Sequence, residues 1–447
     1  MGKIELNSMK KILLFLTMCF AFANAQDINP SKDLKNIPED KIQRSFDVSS
    51  NSLRKELWLE VEKNEIIKVC IDKKVKEWDT KLESKKINDS CLVFQAPTLV
   101  GVDTIKVYFS QNSKPHNINL AVGMKYLDFK NEEVLLGFNQ NKGKLDNIKW
   151  KAFVYKKKEE DPERLTVISA KYLIDKYPVT NCEITQLMWD SIPSKTSFEH
   201  PEFIEIAESW FSRKRRYKRD ETCNVNDTAA NTVYLYQAMK YANARSVREG
   251  LKPYYKFSPS DAYMTRILSK GLYDIVYYDF TKYKNDFIRV SIDYSSDGYR
   301  LPFYDEWMMF ARGGDKKKDA IWGNWSTPVE EVLKYARFGS NYIFTSEPVG
   351  QLQPNGYGLY DIFGLVWEHV LFEETNPFSV LRGTPSCLKG GNNSISLKEN
   401  NPNDAIVTSW QTINYGYSSS NTGAARAGFR LIRNIGNNAK WTEVKSK

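Results

Sequence analysis

The chain has 447 residues, a formal net charge of +9 and 41% hydrophobic residues. That length supports two or three domains around a sizeable core, and the hydrophobic content excludes a globally disordered chain. No stretch of about 18 consecutive apolar residues occurs, so no transmembrane segment is expected.

The chain opens with a positive start at Met9-Lys10-Lys11, a short apolar run from Ile12 to Phe22, and Ala23-Asn24-Ala25. This order predicts a signal peptide over residues 1–25, cleaved after Ala25, and an extracytoplasmic address in the periplasm, at the cell surface or outside the cell. Cys19 is a poor lipidation site, because Met18 precedes it and Phe20-Ala21-Phe22 continue the apolar run. Cleavage removes Lys3, Lys10, Lys11 and Glu5, three cations less one anion, and lowers the charge from +9 to +7. The excess is densest at Arg213-Lys214-Arg215-Arg216-Tyr217-Lys218-Arg219, which reads as a solvated insertion loop, with an anionic polymer site as the alternative. An exported protein rarely meets nucleic acid, and none is expected as a partner.

Residues 26–46 are polar and contain proline, as in a leader or linker. Over residues 47–155 apolar residues alternate with polar ones. Leu57, Leu59 and Val61 form one such run; Ile67, Val69 and Ile71 a second; Ile105, Val107 and Phe109 a third; Ile118, Leu120 and Val122 a fourth. A period of two over several short runs predicts an all-β, Ig-like antiparallel sandwich. His116 lies in an expected turn beside Pro115, and nothing in this region suggests chemistry. The charge-dense stretch 156–164 reads as a solvated linker.

A second domain is expected over 165–433, with a short tail at 434–447. Thr180 caps a helix with Glu183 three residues on, and Ile184, Leu187 and Met188 share one face. Asn231 to Gly250 forms a second helix ended by glycine, and Asp305 to Arg312 a third, closed by Gly313-Gly314. Few strands are obvious, and pattern alone gives a loop-rich α+β domain. Of the cysteines that survive cleavage, Cys70 with Cys91 and Cys182 with Cys223 are the simplest pairs, and Cys387 is the odd one. An oxidising compartment favours disulfides, but spacing does not fix their connectivity. Oligomeric state is likewise not encoded in any pattern here.

Four segments in this region follow one another in a set order. They are Tyr172 to Asn181; Arg300 to Trp307 with Ala311 to Gly314 and Trp322-Gly323; Pro354 to Asp361 with Gly364 and Trp367-Glu368; and Lys389-Gly-Gly391, ending at Gly428-Phe-Arg-Leu431. In that order they resemble the formylglycine-generating-enzyme, or sulfatase-modifying factor, family. The resemblance implies that family's loop-rich variant of the C-type lectin fold. From the residues themselves, Trp307, Trp322 and Trp367 are expected in the core, and Arg300 and Arg430 are expected to meet buried carboxylates or carbonyls.

The family's enzymes oxidise a client cysteine to formylglycine, using copper(I) held by two cysteines just after the Gly-Gly turn. Soft thiolates select copper(I), and the chemistry needs both sulfurs. Here the stretch from Asn392 to Asn400 contains no cysteine, and Cys387 lies before the turn. No catalytic residue is therefore assigned and copper is not expected; the chain reads as a pseudoenzyme, with the oxidase or a divergent enzyme of the family as the alternative. His116, His200 and His369 are too scattered for an iron site, and His369 reads as a packed residue.

The resemblance also implies a structural calcium ion on Asp361, Gly364, Val366 and Glu368, two carboxylates and two carbonyls. Leu365 replaces the family's usual asparagine. The plainer alternative is that Asp361 caps a turn and Glu368 pairs with an arginine. Finally, Ser409 to Thr422 is rich in Trp, Tyr, Asn and Ser, the residues of adaptable binding loops. It predicts a face for a glycan or a protein at the cell surface, built on Trp410, Gln411, Asn414, Tyr415, Tyr417 and Asn421.

Overall fold

The computed structural model describes residues 39–137, 163–191, 216–224, 227–260, 284–315, 327–338, 347–372, 386–391, 427–436 and 439–443, with short pieces at 213, 266–269, 272–279 and 413–414. The expected signal peptide, Cys19 and the stretch 156–162 lie outside them. Among the described residues no helix is long and apolar enough to cross a membrane.

The N-terminal strands are β1 (Arg44–Val48), β2 (Leu57–Val61), β3 (Ile66–Ile71), β4 (Glu77–Asp79), β5 (Ser84–Lys86), β6 (Cys91–Gln95), β7 (Gly101–Tyr108) and β8 (His116–Val122). They form two four-stranded sheets, ordered β1-β3-β6-β5 and β2-β8-β7-β4. The alternating residues Leu59, Val61, Ile67, Val69, Ile105, Val107, Ile118 and Leu120 point into one shared core. Each fully buried aliphatic side chain there is worth about 1.5–3 kcal/mol. The expectation of wholly antiparallel pairing needs correcting: β1 runs parallel to β3 and β2 parallel to β8. The chain crosses between the two sheets at every step from β1 to β5 and again from β6 to β7, whereas β5 with β6 and β7 with β8 are antiparallel neighbours in both sequence and space. Cys70 and Cys91 face each other across β3 and β6 and form a disulfide.

Gly123, at φ +62°, turns the chain from β8 into β9 (Met124–Leu136), where a Cβ would lie 2.9 Å from Val100 Cγ2. Strand β9 pairs antiparallel with β10 (Arg164–Asp175) from Met124 opposite Asp175 to Leu136 opposite Arg164. Helix α1 (Asn181–Leu187) follows; Thr180 and Glu183 form the expected capping box at its start. Cys182, in its first turn, is joined to Cys223. Helix α2 spans Leu235–Arg248.

Next comes a sheet the sequence pattern did not reveal, ordered β11-β14-β13-β12 and built from β11 (Tyr255–Pro259), β12 (Arg266–Ser269), β13 (Leu272–Asp279) and β14 (Lys284–Ile292). Helix α3 (Tyr304–Arg312) is closed by Gly313 in the left-handed conformation, and a short α4 spans Val329–Val332. Strands β15 (Trp367–Leu371), β16 (Ser386–Lys389), β17 (Ile413–Asn414) and β18 (Ala427–Gly428) make another sheet. Strands β19 (Ile432–Asn434) and β20 (Lys440–Glu443) return to pair with β10. The architecture is therefore mostly β-sheet with few helices.

A buried ion pair ties the two regions together. Lys63 Nζ lies 2.9 Å from Glu183 Oε1, and each side chain is 3% exposed. Glu183 Oε2 also accepts from the Thr180 amide at 3.0 Å. Burial raises the Glu183 pKa, but the adjacent Lys63 ammonium, the Thr180 amide and Arg245 together outweigh it and hold the carboxyl below its usual range. Beside it, Asn64 Nδ2 donates to the Cys223 carbonyl at 2.9 Å.

Candidate functional site

The region that would carry the family's chemistry is assembled from α3, the loop 361–366, β15, β16 and β18. Pairing of β15 with β16 sets Glu368 opposite Lys389 and Val370 opposite Cys387. Glu368 is fully buried, and both its oxygens are engaged. Arg430 Nη2 approaches Oε1 at 2.7 Å and Nε approaches Oε1 and Oε2 at 2.8 and 3.0 Å, while Trp307 Nε1 donates to Oε2 at 2.8 Å. Arg430 also donates to the carbonyls of Asp175 and Tyr360 at 3.1 and 2.8 Å. A buried guanidinium shared between one carboxylate and three carbonyls, the third that of Lys176 at 3.4 Å, ties β10, β15 and the loop together. Arg300 finds a carboxylate in the same way, reaching Glu306 at 2.6 and 2.7 Å.

The loop is tightly wound. Asp361, Gly364 and Leu365 all have positive φ, at 53°, 77° and 57°. A Cβ on Gly364 would sit 2.3 Å from the Arg337 carbonyl, and its amide donates to the Gly390 carbonyl at 2.7 Å. Side chains larger than hydrogen are excluded there. The loop is thus seated directly under the Gly-Gly turn.

Asp361 is 3% exposed, and its Oδ2 accepts from the Gly350 amide at 2.6 Å. Burial pushes its carboxyl up to about 6, against the opposing pull of that amide, Arg430 and Arg337. A desolvated carboxyl of this kind suits a hard cation, whereas Glu368 is already committed to Arg430 and Trp307. Of the expected calcium ligands, Glu368 serves Arg430 and Trp307 and Asp361 Oδ2 serves the Gly350 amide, so the side chains fit calcium in part only. Among the described residues no group of three or more His, Cys, Asp and Glu side chains converges.

Four cysteines are locked in the two disulfides, and Cys387 is buried in β16, outside both. His369 is fully buried, with Nε2 2.6 Å from the Val233 carbonyl, and burial drives its pKa down to about 4. Lys389, also fully buried, holds its Nζ 4.9 Å from the Tyr304 ring centre and 5.7 Å from that of Trp307. Trp307 and Trp367 are core residues as expected, at 0% and 6% exposure; Trp322 lies outside the described residues.

Of the expected binding face, Asn414 is placed in β17 opposite Cys387. Trp410, Gln411, Tyr415, Tyr417 and Asn421 lie outside the described residues. In the basic run, Arg213 departs from the expected solvated loop. It is 2% exposed and donates to Asn181 Oδ1 at 2.9 Å and to the Asn231 carbonyl at 2.6 Å. The pattern missed the pair joining Lys63 to Glu183 and the buried pair joining Arg245 to Asp175 at 2.7 Å. Neither has a local sequence signal, because each joins residues far apart in the chain.

Residues 134–435 match the model of the sulfatase-modifying factor enzyme 1-like domain. The chaperone protein LppX of Paenibacillus barcinonensis is 31% identical over 172 residues, 34% of this chain and 56% of that one. The formylglycine-generating enzyme of Mus musculus is 35% identical over 111 residues, 21% of this chain and 30% of the enzyme. The inactive C-alpha-formylglycine-generating enzyme 2 of Mus musculus is 39% identical over 77 residues, 16% of this chain and 25% of that protein. The chain therefore spans less than two thirds of each of these relatives. Among solved structures, Treponema denticola variable protein 1 aligns with a TM-score of 0.40 at 20% identity, covering 75% of this chain and 99% of that one. PvdO from Pseudomonas aeruginosa aligns with a TM-score of 0.39 at 16% identity, covering 70% and 94%.

Proposed function

The chain belongs to the family of sulfatase-modifying factor enzyme 1-like domains, and we propose that it uses this scaffold without the oxidase chemistry, as an exported binding or structural protein that presents a glycan- or protein-binding face. The observation that carries the reading is the thiol inventory. Two thiolates are needed to hold copper(I). After Gly391 the sequence contains no cysteine, and before it every cysteine of the expected mature chain except Cys387 is in a disulfide. The similarity to an inactive formylglycine-generating enzyme 2 supports the same conclusion. A chaperone role, named for the Paenibacillus relative, is a form of protein binding and falls within this reading.

The proposal includes export by the leader 1–25, an Ig-like N-terminal module, a C-type-lectin-type C-terminal fold, and a ligand face on Trp410, Asn414, Tyr415 and Tyr417. It also includes a structural calcium held chiefly by Asp361. Incubating the purified protein with copper and a cysteine-containing sulfatase peptide is expected to yield no aldehyde, and aldehyde formation would establish the oxidase instead. The double change Trp410→Ala with Tyr415→Ala is expected to abolish glycan or protein binding without lowering the melting temperature. Loss of folding in that variant would remove the surface role.

A further inference from the structure

A cleft of about 1210 Å³ opens between the outer face of the β2-β8-β7-β4 sheet and the end of helix α2. The inner face of that sheet fills the sandwich core, so its outer face carries the alternate residues. Across the floor, Trp58 of β2, Asn119 of β8 and Thr104 of β7 stand in one register row, and Thr104 Oγ1 donates to Asn119 Oδ1 at 3.2 Å. The next row carries Asn117, Lys106 and Asp79. Val247 stands on the opposite wall, 40% exposed, one of the large apolar residues left open to solvent. Trp58 is held in place by stacking on Tyr126, with ring centres 5.3 Å apart and planes at 15°.

Two polar atoms of cleft-lining residues are buried and have no hydrogen-bond partner: the donor Trp58 Nε1 and the acceptor Gln186 Oε1. Gln186 is 5% exposed, and its Nε2 donates to the Lys218 carbonyl at 2.8 Å. An orphaned buried donor or acceptor costs about 1–3 kcal/mol, so one of each in a single cleft calls for a ligand that both accepts and donates. A sugar hydroxyl does both, and an indole beside amide and hydroxyl side chains matches the apolar and polar faces of a pyranose ring. Within the cleft Lys106 pairs with Asp79 and Arg248 with Glu249, and Arg54, Lys55, Lys81 and Arg433 beside Glu56 and Asp103 complete its charged lining. The floor is the face of the sheet and not an open edge, so it offers no ladder to an extended peptide.

From these observations we infer that the cleft is a binding site for an oligosaccharide, separate from the proposed C-terminal face. The test is calorimetry of the full mature chain against short cello-, xylo-, manno- and chito-oligosaccharides. Wild type is expected to bind one of these series. Trp58→Phe keeps the ring and removes the donor, and is expected to weaken binding about fivefold. Val247→Trp fills the cleft from an exposed position and is expected to abolish binding, with the melting temperatures of both variants unchanged. The inference fails if no series binds, if both variants bind as wild type does, or if only Trp410→Ala with Tyr415→Ala removes binding. In that last case the sugar belongs to the C-terminal face, and the proposed function stands without this site.

Discussion

Replacing Lys63 with methionine isolates the strongest electrostatic link between the two regions. Lys63 and Glu183 are 4% and 2% exposed, so water cannot take the place of the lost ammonium. Removing one partner of a buried ion pair costs about 3–5 kcal/mol, because the other charge stays buried and uncompensated. For a unit of this size that corresponds to a fall of roughly 10 °C in melting temperature. The loss also has a pH signature. In wild type the Glu183 pKa is depressed, so its contribution is present above the unfolded value and fades as pH falls through the folded one. In Lys63→Met, burial is opposed only by the Thr180 amide and Arg245, so that pKa rises from its wild-type position and the variant falls further behind as pH rises. The deficit between variant and wild type should therefore be large near about pH 8 and shrink towards about pH 4. Paired thermal melts across this range measure it, and Lys63→Met with Glu183→Gln should recover much of the loss. A deficit below about 1 kcal/mol, or one that does not change with pH, would refute the reasoning, since such a pair would behave as an exposed one.

Asp361 has the opposite sign. Its folded pKa, about 6, lies above its unfolded value, so its contribution is fully present below the unfolded pKa and is lost as pH rises through about 6. Asp361→Asn should flatten stability against pH over that window by about 3 kcal/mol, read from chemical denaturation at several pH values. If calcium binds there, adding it above pH 6 should raise the melting temperature of wild type and leave Asp361→Asn unmoved; equal shifts in both proteins would remove Asp361 from the site. Reducing the link between Cys182 and Cys223, or replacing both residues with alanine, should cost about 2–4 kcal/mol in the same assay.

The parts of the fold that were legible in the sequence are those with a local cause. Alternation marked β2, β3, β7 and β8 because one face of each strand is buried in a shared core. Thr180 with Glu183 marked a helix start because the capping box needs only those two side chains three residues apart. Arg300 and Arg430 could be expected to meet buried partners, since a guanidinium among apolar residues has no other stable arrangement. What escaped is non-local. Residues 128–133 of β9 read Asp-Phe-Lys-Asn-Glu-Glu and fall within the expected sandwich, yet they lie against Lys171 to Val167 of β10. The sheet of β11 to β14 was hidden in the same way, with charged residues interrupting each strand. The cleft depends on how a sheet face meets a helix end, and no single segment signals such a meeting. The commitment of Glu368 to Arg430 is half legible: the arginine foretold a carboxylate but not which one.

The long pairing of β9 with β10 has a practical consequence for anyone trimming the chain. A fragment cut at residue 134, where the family match begins, would keep β10 but lose Met124 to Glu133. It would expose a row of unsatisfied amides and carbonyls beside an apolar face, a template for aggregation. The N-terminal region then works as a splint as well as a neighbour, and soluble expression should require a start site upstream of the turn at Gly123.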